Sequence, residues 1–287
     1  MDVSLDLVKK LREKTGAGIS DSKKALIESN GDFEKAIEFL RKKGAATSQK
    51  RSDRIAKEGL ILAKTINDRA EAAIIEVNCE TDFVARSDTF QKLANTVLEA
   101  VFTAKTSDVN SIISAKSKSG NTVQQVLDET TASVGEKVEV KRAEYFKSGD
   151  GFFCEYNHPG NKIASLVELT GKISGEGITL GNDIAMQVAA MKPLTINRDG
   201  ISKEMVEKEK EIYKIQAINE GKPENIADRI ANNKVEKFYE ENCLLEQEFV
   251  KEPSKTVNDI IKAVSSVSGN EYKVKKILRY QLGETIG

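Results

Sequence analysis

An alternating run of apolar side chains followed by a helical apolar period occurs twice in this chain, and this limits the fold more than any other feature. Residues 60–66 alternate, Asn67-Asp68 is a turn signal, and 72–77, apolar except at Glu76, reads as a strand of the buried type. Phe90, Leu93, Ala94, Val97, Leu98 and Val101 then recur at helical spacing, and 138–146 returns as a strand. The second cycle has strands at 152–156 and 163–169, a helix at 183–191 stopped by Pro193, a helix at 256–264 and a strand at 272–282. Two mixed units of like order predict an α+β core of two similar subdomains, 57–146 and 147–200 with 244–287. Their side chains show no strong residue-by-residue repeat.

Two helical segments flank or interrupt this core. Residues 1–44 read as a bundle of three short helices. Leu5, Leu7, Val8 and Leu11 mark one face, Thr15-Gly16-Ala17-Gly18 breaks the chain, and Ser20 or Asp21 caps a second helix holding Ala25, Leu26 and Ile27. Asp32 caps a third helix with Phe33, Ala36, Ile37, Phe39 and Leu40, which Gly44 is expected to end. Residues 45–56 are small, polar and basic, and read as a linker. Within 201–243, Met205, Ile212, Ile215 and Ile218 form one stripe and Ile226, Ile230, Val235 and Phe238 a second, on either side of Glu220-Gly221-Lys222-Pro223. This predicts an inserted antiparallel helical hairpin, or coiled coil, whose stripes form its seam, with its tip as an alternative contact point for a partner.

Charge and cysteine usage narrow the class. The formal net charge of -1 argues against a protein that coats nucleic acid, and 6% aromatics with no tryptophan argue against base stacking. Residues 1–57 hold 14 Lys/Arg against 9 Asp/Glu, whereas 201–252 hold 9 against 13. That asymmetry fits a protein oriented against a partner, and it equally fits solvated helix faces. Three scattered cysteines indicate a reducing compartment, and the acid-bearing N-terminus has no signal-peptide pattern. No run approaches the ~18 apolar residues of a membrane helix. A cytoplasmic or organelle-interior location is expected.

Catalytic constellations are missing from the sequence. It has neither a G-x-x-x-x-G-K-[ST] loop nor a G-x-G-x-x-G turn after a strand. His158 is the one histidine, and Cys154 four residues earlier would share its face only in a helix, whereas the segment reads as strand then turn. No zinc spacing is present. No enzyme activity, cofactor or metal is therefore expected. A small-molecule enzyme with a cleft near Cys154 and His158, and a nucleic-acid adaptor using the basic head, are the rival readings.

Two stretches depart from this pattern: Thr15-Gly16-Ala17-Gly18-Ile19-Ser20-Asp21-Ser22-Lys23-Lys24-Ala25-Leu26 and Val77-Asn78-Cys79-Glu80-Thr81-Asp82-Phe83-Val84-Ala85-Arg86. A phenylalanine at a strand-to-helix corner is either core or an exposed anchor, and the residues alone leave both open. The two stretches resemble the signature regions of translation elongation factor Ts, the guanine-nucleotide exchange factor family of elongation factor Tu. That family reads T-G-A-G with a D-C-K-K-A-L-like run, and V-N-C-x-T-D-F-V-A. The second is reproduced in full, and the first departs at Ser22, where many members carry Cys. Ile184-Ala185-Met186-Gln187-Val188-Ala189-Ala190, Lys192-Pro193 and Glu252-Pro253-Ser254-Lys255-Thr256-Val257 also match, so the resemblance runs nearly chain-long.

The resemblance implies a head similar to ubiquitin-associated (UBA) folds that packs on elongation factor Tu. It implies that Thr81, Asp82, Phe83 and Val84 enter the partner near its bound Mg²⁺, and that Ile19, Ser20, Lys23, Asn78 and His158 make further contacts. It leaves room for a homodimer or a 2:2 complex. Long members continue into a C-terminal helical module whose contacts do not carry over to this sequence.

Overall fold

The structure, a computed structural model, describes residues 3–284. Its head is three helices, α1 (Leu5–Thr15), α2 (Ile19–Glu28) and α3 (Phe33–Arg51). Ser4 and Asp32 accept from backbone N–H groups in the first turns of α1 and α3. The second helix starts at Ile19, with Gly18 as its N-cap, so neither Ser20 nor Asp21 caps it. Val8, Leu11, Ala25, Leu26 and Ala36 close the small core of the bundle.

Ser22 lies in that core with its hydroxyl buried and without a hydrogen-bond partner. A stranded hydroxyl costs about 1–3 kcal/mol, and a thiol is a far weaker polar group. Ser22→Cys is expected to raise stability by about 1 kcal/mol, read as a higher urea midpoint at unchanged slope.

The core follows as β1 (Glu58–Ile66), β2 (Glu71–Cys79), α4 (Asp82–Ala85), α5 (Asp88–Ala104), α6 (Val109–Ser114), α7 (Val123–Val134) and β3 (Val138–Lys147). Its second half is β4 (Gly151–Asn157), β5 (Ile163–Thr170), α8 (Gly175–Met191), α9 (Lys203–Asn219), α10 (Glu224–Asn242), β6 (Glu248–Phe249), β7 (Glu252–Thr256), α11 (Val257–Ser268) and β8 (Lys273–Gln281). Two antiparallel three-stranded sheets result, ordered β1-β2-β3 and β4-β5-β8. They face each other through Ile61, Ala63, Ala72 and Ile74 on one side and Phe153, Ala164, Leu166 and Tyr280 on the other. Helices α5 to α7 cover the outer face of the first sheet, and α8 with α11 that of the second. The middle strands β2 and β5 are thus buried on both faces, which is why most of their residues are apolar, with Glu76 in β2 and Ser165 and Glu168 in β5 among the buried exceptions.

The two halves repeat in detail that composition concealed. In each, the middle strand pairs with the third strand through a register shift placed just after a buried glutamate, Glu76 in β2 and Glu168 in β5. In each, a glycine near the start of the first strand, Gly59 or Gly151, lies so close to the carbonyl following that shift (Val77 or Leu169) that a side chain would collide with it. Helices α7 and α11, each leading into a third strand, both open on a threonine capping box.

Several expected boundaries move. Helix α3 does not end at Gly44; it continues to Arg51 through most of the expected linker. Gly44 is buried against α7, where a Cβ would come within 3.2 Å of the Asp128 carbonyl, so the glycine marks close packing rather than a stop. Helix α8 begins at Gly175 rather than near 183, because Gly177 and Gly181 allow it to approach Tyr272 and Cys154. Helices α6 and α7 carried no sequence expectation. In the hairpin of α9 and α10, Ala217, Ala227, Ala231 and Val235 are buried. Met205, Ile212, Ile215, Ile218 and Ile226 are exposed, so these residues do not form the seam. Alanines bring the two helices close; of the second expected stripe, Val235 is buried and Ile230 and Phe238 are half-buried, while the first stripe lies outside.

Candidate functional site

The corner between β2 and α5 is built around backbone groups that need partners. Thr81 caps the one-turn helix α4, its hydroxyl accepting from Val84 N at 3.4 Å. Its own N–H and hydroxyl donate to the Glu136 carboxylate at 2.9 and 2.7 Å. The adjacent Glu80 carboxylate accepts from Lys137 N at 2.6 Å and pairs with Arg54 at 3.1 Å. The Lys137 amide foremost, with Arg54 and Arg51 after it, holds the Glu80 carboxyl below its ordinary range. Cys79 donates to the Thr81 carbonyl at 3.1 Å, and burial pushes its thiol up to about 12. Ala85 is buried and Val84 packs against the core.

Phe83 stands on this anchored turn 83% exposed. The corner therefore takes the exposed alternative that the residues left open. Beside it Asp82 is half-buried and paired with Arg86 at 2.9 Å. Phe90, seven residues on, is fully buried in the core. The equivalent corner of the second half, between β5 and α8, passes directly into its helix at Gly175 and carries no such aromatic.

The other expected contact residues divide. Ile19, Ser20 and Lys23 are exposed on α2, with Ile27 exposed one turn beyond Lys23. Asn78 is 3% exposed, and its amide donates to the Glu58 carbonyl at 3.2 Å and to Glu76 at 3.4 Å. Its side chain thus braces the strand end from within. His158 is exposed in the β4–β5 turn, with its Nδ1 3.0 Å from the Tyr156 hydroxyl. That turn lies along the free edge of β1: Ile61 N donates to Asn161 O at 2.7 Å, and Lys162 pairs with Glu58 at 2.8 Å. Glu58 pairs across the sheet with Cys79, so the His158 turn and the Phe83 turn flank the same end of the first sheet.

Little here resembles a reaction centre. Cys154 is buried beneath α8, its thiol pushed up to about 12 by desolvation, while His158 is exposed at the surface, so the two do not form a nucleophile pair. A cleft of about 930 Å³ between head and core is lined by Lys14, Glu38, Arg41, Glu99, Lys118 and Glu129, in which Arg41 faces Glu129 and Lys118 faces Glu99. Among the described residues no group of three His, Cys, Asp or Glu side chains is placed to hold a metal, and no helix is long and apolar enough to cross a membrane. Sequence reasoning missed Glu136, Arg51 and Arg54, which meet the corner only through the fold. Their one sequence signal is that each is charged beside a helix terminus.

Known proteins resemble this chain in sequence along its length. The family described as Elongation factor TS matches residues 80–284. The chain belongs to the elongation factor Ts family. Elongation factor Ts of Chloroherpeton thalassium is 44% identical over 286 residues, 99% of each chain. That of Chlorobium phaeobacteroides is 42% identical over 285 residues, covering 98% of this chain and 99% of the relative. That of Clostridium perfringens strain SM101 is 39% identical, covering 99% and 94%. The elongation factor Ts match begins at Glu80 and so includes the whole Thr81–Val84 turn, and the relatives also align across the head.

Proposed function

We propose that this chain binds elongation factor Tu with GDP bound and speeds GDP release by pressing Phe83 and Asp82 toward the partner's Mg²⁺ site. The observation that carries this reading is the exposure of Phe83 on a turn that Glu80, Thr81 and Ala85 fix to the core. A large apolar ring held in water by a rigid mount loses little entropy on docking, which is the property of a binding hot spot. Mg²⁺ tolerates little departure from octahedral geometry. A ring wedged beside its protein ligands weakens the metal, leaves the GDP phosphates under-neutralised and shortens the lifetime of the nucleotide. Ile19, Ser20 and Lys23 on the head and His158 on the β4–β5 turn supply the flanking contacts. Nothing covalent takes place on this chain, which acts as an exchange factor and not as an enzyme.

The finer architecture belongs to the same reading: a UBA-like head, two core subdomains, and a coiled-coil hairpin over 201–243 inserted in the second. A cytoplasmic setting follows from work on a translation GTPase, and the assembly is one-to-one or a 2:2 complex. Exchange of this kind is a coupling free energy, so nucleotide and factor must weaken each other's binding by the same factor. In gel filtration the chain should co-elute with nucleotide-free elongation factor Tu and separate from it as GDP is added. Co-elution indifferent to GDP would contradict an exchange role.

A further inference from the structure

The stretch between head and core is built as a strut. Arg51 closes α3 and Arg54 follows it by three residues, and both turn toward Glu80. Arg54 lies 3.1 and 3.3 Å from its two carboxylate oxygens, and Arg51 lies 3.7 Å from one. The Lys137 ammonium donates to the Arg54 carbonyl at 3.1 Å while its backbone N–H donates to Glu80. Farther up, α3 lies along α7. Gly44 abuts the Asp128 backbone, and Arg41 reaches Asn121 at 2.7 Å and Glu129 at 3.5 Å. At the other end of the head, Ser133 donates to the Gly16 carbonyl at 2.9 Å. The head is thus held along its length by α7 and at its foot by the residue immediately preceding the Thr81–Val84 turn.

We infer that Glu80 is a positioning residue that locks the foot of α3 to the Phe83 turn, so that the exposed face of α2 and Phe83 are presented as one rigid surface. Two contact sites joined rigidly at the right span bind as a unit, whereas the same sites on a loose joint lose effective concentration. Glu80 makes two separable kinds of contact. Its acceptance of the Lys137 N–H stiffens the turn itself. Its charge holds Arg51 and Arg54, and with them the head. Glu80→Gln keeps an acceptor for Lys137 and removes the charge, so it isolates the second role.

The first test uses the free, full-length chain and no partner. Nitroxides are placed through Lys24→Cys on α2 and Lys92→Cys on α5, both exposed positions, while the three native cysteines are buried. Pulsed electron resonance should give one narrow distance distribution. Glu80→Gln, and separately Arg51→Gln with Arg54→Gln, should broaden it, and the triple variant should broaden it no further, because all three residues form one network. Distributions unchanged in both variants would overturn the inference, whatever the chain does to nucleotide exchange.

The kinetic arm rests on the proposed exchange role. The half-saturating factor concentration should rise about fivefold in either variant, the scale of two half-exposed ion pairs, with the maximal release rate within about twofold of the parent. A fall in maximal rate at unchanged half-saturation would place Glu80's effect in the turn alone and overturn the lock. A parent chain that fails to stimulate release would overturn the exchange reading and leave the distance result to decide the lock.

Discussion

Phe83→Ala should cut stimulated GDP release by about thirtyfold or more, the effect of removing a hot-spot aromatic worth ~2 kcal/mol, and leave the fold unchanged. The ring is 83% exposed, so its removal creates no cavity, and the change in stability should stay within about 0.5 kcal/mol. The turn beneath it keeps the Thr81 bonds to Glu136, the Glu80 bond to Lys137 and buried Ala85, none of which involves the phenyl ring. Stopped-flow release of a fluorescent GDP analogue, with a urea titration of the same preparation, reads both quantities. A variant that unfolds would mean the ring supports the core, and the wedge would have to be abandoned.

Phe90→Ala should behave in the opposite way. Its side chain is 0% exposed and packs within the core beneath the first sheet. Truncating a buried phenylalanine costs about 3–5 kcal/mol in lost transfer energy and residual cavity. Against a total stability of about 5–15 kcal/mol this is a large fraction, so the urea midpoint should fall sharply. Exchange activity per folded molecule should be largely retained at low temperature, because Phe90 does not reach the surface. Two phenylalanines seven residues apart, one on each side of a single corner, thus separate function from stability. Comparable stability losses in both variants would argue against this division.

The sequence made the sheets legible because their strands are rich in apolar residues between turn signals, and β2 and β5, buried on both faces, are the most apolar in the way central strands are. It misled where small residues do the packing. Gly44 reads as a helix stop and is a contact with α7; Gly177 and Gly181 hide the first turns of α8; in the hairpin, alanines join Val235 in the buried positions that the larger stripe residues of α9 were expected to fill. Helices α6 and α7 lie in 105–137, rich in serine and threonine, where the Asp108 cap of α6 and the Thr122 capping box of α7 do not stand out from the polar background. At the candidate site, residue type alone could not decide whether Phe83 faces water, since burial at a corner is set by what packs behind it. Asn78 shows the reverse case, a polar residue of the signature whose side chain is buried at the strand end. Glu136, Arg51 and Arg54 lie far from the corner in sequence, and only folding brings their charges to it.

The most direct measurement is dissociation of a fluorescent GDP from elongation factor Tu in excess unlabelled nucleotide, at fixed Mg²⁺, with and without this chain. The predicted result is a release rate that climbs with the concentration of the chain and saturates, while Phe83→Ala at the same concentrations leaves it near the unstimulated value. A rate indifferent to the chain, or one that Phe83→Ala stimulates equally well, would contradict it.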